Sequence, residues 1–235
     1  MQPKKILTFS YDDGVLQDIR LADLFRKYGM KATFNINSGR LGEAGELVRD
    51  GVTVRHDKVK AADLRSIYEG HEVAAHTLTH PTLTHLTDDG EIIRQVEEDR
   101  LRLSELCGYE VVGFAYPGGR PNHSTHVAKL IQENTGIRYC RTTISSYGFG
   151  RQENLYEFRP TVYHHAEWDK MLALGEEFLS RTPEETEVFY VWGHAYEFDI
   201  RNEWDRFEEF LSMMAGRPDI AYLTNKEALL FSEVE

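Results

Sequence analysis

Four short stretches carry the side chains that could do chemistry. Asp12-Asp13-Gly14 ends an apolar, β-prone run that starts at Ile6. Taken alone it reads as a turn, because Asp-Gly is a common turn pair. Two carboxylates at the end of a buried strand also suit a cation or a proton transfer, since unpaired buried charge is costly. His76-Thr77-Leu78-Thr79-His80 separates two imidazoles by four residues, a metal-ligand spacing. It is not the His-Glu-x-x-His motif, because Thr77 stands at the glutamate position. Pro81 disfavours helical backbone at His80, so the pair is expected on a loop or a single turn. Tyr116-Pro117-Gly118-Gly119 and Gly193-His194 each follow a further apolar run. Two histidines, a carboxylate and an open position would suit catalytic zinc, with cobalt, nickel and manganese as alternatives.

The elements that must position these groups alternate in type. Strands are expected near residues 6, 32, 73, 112, 138, 189 and 221. Helical spacing is expected over 17–28, 61–69, 88–106, 123–134, 168–180, 204–214 and 225–231. The stretches 37–58 and 145–156 read as irregular. Alternation of this kind builds a parallel sheet with crossover helices, and seven strands suggest a closed or nearly closed α/β barrel, one short of eight. Asp12 and Asp13 then follow the first strand, His76 and His80 the third, Tyr116 to Gly119 the fourth and His194 the sixth. In a parallel barrel all these strand ends share one face, where loops build the site.

Composition narrows the partners. The 235 residues suit one domain spanning 1–235, with 27 basic against 39 acidic side chains and a net charge of -12. That balance argues against nucleic acid and against anionic membrane. No apolar run approaches the roughly 20 residues that span a bilayer. The N-terminal residues do not read as a signal peptide, so a cytoplasmic protein, or a secreted one whose leader has been removed, is expected. Cys107 and Cys140 match no metal motif and are expected to be buried and inert.

Thr8-Phe9-Ser10-Tyr11-Asp12-Asp13-Gly14, His76-Thr77-Leu78-Thr79-His80 and Trp192-Gly193-His194 resemble, in order, the motifs of the polysaccharide deacetylase family, the NodB-homology or carbohydrate esterase family 4 enzymes. Phe114 to Gly119 resembles its third motif more loosely. The resemblance implies a distorted seven-stranded (β/α) barrel, TIM-barrel-like. It implies metal-dependent hydrolysis of an acetyl group from a carbohydrate, usually the N-acetyl of N-acetylglucosamine in a glycan such as peptidoglycan or chitin oligosaccharide. By the same resemblance Asp13, His76 and His80 would hold the metal. Asp12 would be the general base, His194 the general acid and the Gly118 N–H an oxyanion donor.

This chain departs from the family pattern in three places. Ala115 stands where the family's base-orienting arginine usually does, and Gly118 where a tyrosine is usual. There is no clear Asp-x-x-Asp-Trp motif. Arg141, at the end of the fifth strand, is the candidate replacement for the guanidinium. Glu197 or Asp199 is the candidate partner of His194. Trp192 and Tyr116 are expected to flank the site, as ring faces for a sugar or equally as core, and His164-His165 could line a cleft. His71, His85, His123 and His126 are expected to be structural or exposed. Two other functions fit the same residues: an amidase of the superfamily acting on a small amide, ureide or imide, and a sugar- or metal-binding protein without catalysis.

Overall fold

The computed structural model describes residues 3–230. In chain order the elements are β1 (Lys5–Asp12), α1 (Asp18–Lys27), β2 (Thr33–Ile36), β3 (Glu46–Arg49), β4 (Val52–Arg55), α2 (Leu64–Ile67), β5 (Glu72–Ala75) and α3 (Asp89–Cys107). They continue with β6 (Gly113–Ala115), α4 (Thr125–Asn134), β7 (Tyr139–Arg141), β8 (Val162–Tyr163), α5 (Trp168–Ser180) and β9 (Glu187–His194). The last are α6 (Glu197–Arg201), α7 (Trp204–Met214), β10 (Ile220–Tyr222) and α8 (Asn225–Leu229). The expected closing helix ran to Phe231, which lies outside the described residues.

Seven parallel strands curl in the order β7-β6-β5-β2-β1-β9-β8. The ring is drawn together between β7 and β8, where Phe158 bridges Arg141 and Val162 pairs with Val191 on β9. This is the distorted (β/α) barrel expected, but one of its seven members differs. β8 takes a place in the ring that the sequence reading had not counted as a strand, because only two residues of it pair. β10 pairs instead with the first half of β1, at Lys5 to Leu7, while β2 pairs with the second half, at Ser10 to Asp12. Asn225, just after β10, fills the split along β1. Its amide nitrogen donates to Thr8 Oγ1 at 2.8 Å and to the Phe9 carbonyl at 3.2 Å, and its backbone N–H donates to Thr33 Oγ1.

The two-residue period of a strand sorts side chains between two layers. On β1, Leu7, Phe9 and Tyr11 pack outward with Phe25, Phe34 and Phe207 under the helices. Ile6, Thr8, Ser10 and Asp12 therefore point to the barrel interior. The same parity on β9 buries Phe189 and Val191 outward, with Val188, Tyr190 and Trp192 in the separate inner cluster. The interior also holds a carboxylate at the first residue of β5. Glu72 lies in it fully satisfied, accepting from Thr33 Oγ1, Tyr139 OH and the Lys226 N–H. Among the described residues no helix is long and apolar enough to cross a membrane.

The stretch 37–58, expected to be irregular, instead contains the β3–β4 hairpin, with Glu46 opposite Arg55. Asp50 and Gly51 both have positive φ, +52° and +76°. That is the signature of a two-residue turn whose twist matches the strands, and Asp-Gly flanked by alternating apolar residues is its sequence signal.

Candidate active site

Asp12 and His194 end β1 and β9 directly opposite each other in register. Both point into the mouth of the barrel. Asp12 is buried and receives Arg141 Nη2 on both carboxylate oxygens at 2.5 Å, with Asn35 Nδ2 at 2.8 Å on Oδ1. Arg141 is itself fully buried, its guanidinium 4.4 Å above the Trp192 ring. Trp192 in turn stacks on Tyr163 at 4.4 Å. Arg141 comes from the same parity class on β7 as the inward-facing Tyr139, so the strand end delivers it to the interior.

Asp13 leaves the strand with φ +86°, which turns its carboxylate away from Asp12 and toward the histidines. His80 Nε2 is 3.3 Å and His76 Nε2 3.8 Å from Asp13 Oδ1. That oxygen is buried and has no hydrogen-bond partner. His76 Nδ1 lies 2.8 Å from the Ala115 carbonyl, so Nδ1 carries the hydrogen and Nε2 presents its lone pair. Burial pulls the His76 pKa down to about 4, and burial lowers that of His80 as well, which keeps both imidazoles neutral and able to ligate. Asp13, His76 and His80 bring one ligand atom each within 4.8 Å of one another. An orphaned carboxylate oxygen facing two imidazole lone pairs fits a divalent cation.

The backbone that carries His76 and His80 is not helical. Thr77 and His80 have φ of +68° and +67°, conformations unfavourable for residues with a Cβ. Buried partners hold the loop. Asn37 Nδ2 donates to the His76 and Thr77 carbonyls at 2.5 and 2.9 Å, and Asp99 accepts from the His76 and Ser38 N–H groups. His80 N–H donates to Thr77 Oγ1.

The hairpin adds groups that sequence reasoning missed. His56 Nε2 lies 3.0 Å from Asp13 Oδ2, and Lys58 Nζ donates to the Asp13 carbonyl at 2.7 Å. Burial by itself would raise the Asp13 pKa, but the His56 hydrogen bond and the Lys58 charge outweigh it and hold the carboxyl well below the usual range. Arg49 Nη1 reaches Glu197 at 2.7 Å. The Asp50-Gly51 pair within Glu-Leu-Val-Arg-Asp-Gly-Val-Thr-Val-Arg was the available signal.

Glu197, not Asp199, is the partner of His194. It is fully buried at the start of α6, with Oε1 3.0 Å from His194 Nδ1 and Oε2 accepting the His194 N–H. Tyr163 OH also donates to it. Asp199 instead accepts from Gln17 and Trp204. Burial pulls the His194 pKa down, yet Glu197, with smaller contributions from Asp13 and Asp12, more than offsets this and raises it. His194 Nε2 is 4.0 Å from Asp12 Oδ2, so an imidazole with a raised pKa and an arginine-tethered carboxylate face the same space.

A cleft of about 600 Å³ opens over these groups, lined by Asp12, Asp13, His76, His80, Tyr116, Gly118, Trp192 and His194, together with Arg49 and His56 from the hairpin. Tyr116 is a core residue at the edge of the cleft, not an open ring face: its hydroxyl donates to the Tyr156 carbonyl and its buried ring packs on Phe114 and His123. Gly118 has φ +84°, and a Cβ there would lie 2.3 Å from Thr82 Oγ1. Arg141 does not reach the cleft surface; it lies beneath Asp12. His164 does not line a cleft. It is buried between Phe198 and Tyr11, and its ring occupies the space that a Cβ on Gly193 would need, 2.0 Å away. Its neighbour His165 turns toward Asp50 and borders a separate cleft. Cys140 is buried and Cys107 partly so, both as free thiols.

Solved structures with TM-scores above 0.5 share this fold. The chain resembles the Streptococcus pyogenes deacetylase PplD at 19% identity and TM-score 0.46, over 58% of this chain and 55% of that one, about half its length. It resembles a family 4 acetyl xylan esterase from Clostridium thermocellum, determined with a cobalt ion, at 16% identity and TM-score 0.55, over 98% of this chain and 93% of that one. It resembles BA3943, a CE4 family pseudoenzyme from Bacillus anthracis, at 15% identity and TM-score 0.56, over 97% and 66%. No curated protein matches by sequence. The family description "Polysaccharide deacetylase" matches residues 1–140, the span that holds Asp12, Asp13, His76 and His80. The chain belongs to the polysaccharide deacetylase family.

Proposed function

We propose that the protein is a metal-dependent hydrolase that releases acetate from an acetylated carbohydrate. One observation carries the reading. A base held by Arg141 and an acid held by Glu197 face each other beside an Asp-His-His cluster whose inner carboxylate oxygen is unpartnered.

Asp13, His76 and His80 would hold the cation, zinc in first place, which when bound supplies Lewis-acid polarisation of the acetyl carbonyl. Asp12 takes the proton of the attacking water. Arg141 Nη2 meets both its oxygens and Asn35 Nδ2 adds a second donor on Oδ1, so the carboxylate is held in place and little reorganisation is needed as the proton arrives. The Gly118 N–H is the oxyanion donor in this reading. His194, kept charged by Glu197, hands its Nε2 proton to the departing oxygen or nitrogen. Trp192, covered by Arg141 and Tyr163, and Tyr116 are buried in the wall of the cleft and shape it without presenting an open ring face. A protein that only binds has no use for a charged proton donor opposite a tethered acceptor, and the pseudoenzyme among the neighbours makes turnover the deciding measurement.

The test is acetate release from acetylated saccharides, run beside small cyclic amides, with and without chelator. Release that stops with chelator and returns with added zinc is expected from the saccharides alone. Asp13→Ala, His76→Ala and His80→Ala should each abolish both metal binding and turnover. Metal-dependent turnover in any of the three would refute the ligand assignment, and turnover confined to cyclic amides would replace the substrate class.

A further inference from the structure

The walls of the cleft reverse the charge balance of the chain. The protein carries 39 acidic against 27 basic side chains. Yet Asp12 and Asp13 are the acidic residues that line the cleft, and both are buried on its floor with partners of their own. The lining cations are Arg40, Arg49 and Arg120. Arg49 is spent on Glu197. The other two come from different sides of the barrel, Arg40 from the turn after β2 and Arg120 from the loop after β6. Arg120 is exposed, donates Nη2 to the Thr143 carbonyl at 2.5 Å and has no carboxylate within 4 Å among the described residues. Arg40 gives its Nε to Glu43 at 2.9 Å, and Glu43 stands outside the cleft lining.

Resting on the deacetylase reading above, we propose that the acetylated substrate is acidic. A ring carboxylate, as on a uronic acid, sits near the acetyl group and is read by Arg120 and Arg40. A neutral glycan has no group that needs a guanidinium, whereas a carboxylate can take two parallel N–H bonds from one. The field of Arg120, with the Arg40 charge partly offset by Glu43, also draws an anion into a cleft that the rest of this acidic surface would repel.

The experiment compares acetylated oligouronates with acetylated neutral xylo-oligosaccharides of equal length. The expected kcat/KM ratio is at least about tenfold in favour of the acidic series, the scale of one charge-assisted hydrogen bond. Arg120→Gln and Arg40→Gln should each pull the ratio toward one through KM, and added salt should do the same. A wild-type ratio near one, or a ratio that both variants leave unchanged, overturns the proposal. Calorimetric binding of the unacetylated oligouronate to the wild-type protein separates the two readings. Acid-selective binding with no acetate release from any substrate retires the deacetylase reading and supports the anion site. Acetate release without acid selectivity upholds the deacetylase and overturns the anion site.

Discussion

Replacing Glu197 by glutamine isolates what holds His194 charged. Gln keeps the shape and can still accept from the His194 Nδ1–H, but the negative charge is gone. Two unit charges about 4 Å apart at an effective dielectric of about 20 interact by about 4 kcal/mol. The observed contact is 3.0 Å between a fully buried Glu197 side chain and a His194 side chain that is 15% exposed. The retained hydrogen bond and water at the mouth reduce the effect without cancelling it, so the His194 pKa falls. A general acid must enter the reaction protonated, and its contribution disappears as pH rises through its pKa. Lowering that pKa moves the high-pH limb of the kcat/KM profile to lower pH. The variant should therefore lose about tenfold or more at pH 8, which takes only about 1.4 kcal/mol of the lost coupling, and far less near pH 6. Arg49, left without its carboxylate, acts in the same direction. The assay is acetate release across pH 5 to 9, with urea unfolding to confirm that the variant is folded. A folded variant whose high-pH limb stays in place would refute the assignment of His194 as the acid.

Two further perturbations test the supports of the site and of the fold. Arg141→Ala leaves Asp12 with Asn35 as its side-chain donor and should lower kcat roughly a hundredfold with little change in KM, by letting the base swing. Breaking the buried pair also costs about 3–5 kcal/mol of stability. Arg141→Lys should recover part of both losses, and turnover within threefold of wild type in the alanine variant would remove Arg141 from the mechanism. Asp18, at the start of α1, is raised to about 8 mainly by burial, against the hydrogen bond it accepts from Tyr68. Its folded pKa exceeds the unfolded value near 4, so its contribution to stability is present at low pH and is lost as pH climbs from about 4 to 8. Asp18→Asn should thus gain on wild type by a few kcal/mol between pH 5 and 8.5, read as urea midpoints, and a difference that is equal at both pH values would contradict the burial argument.

Much of this was legible along the chain. Alternating apolar runs and helical spacing place the strands, and the parity of β1 and β9 sends Asp12 and His194 to the same interior. The motifs at the strand ends name the ligand candidates, because side chains that coordinate metal or move protons must be of a few types. Local signals determined even the missed hairpin, since Asp50-Gly51 between alternating residues reads only on nearby sequence. Other relations no local pattern could contain. Arg141 meets Asp12 across 129 residues, and His56 meets Asp13 across 43. Arg49 reaches Glu197 only because the hairpin lies over the barrel mouth. Periodicity records which face a residue occupies, while the partner on that face depends on how the sheet curls. Ion pairing, burial and the resulting proton affinities are properties of that closed geometry, so tertiary structure alone decided them.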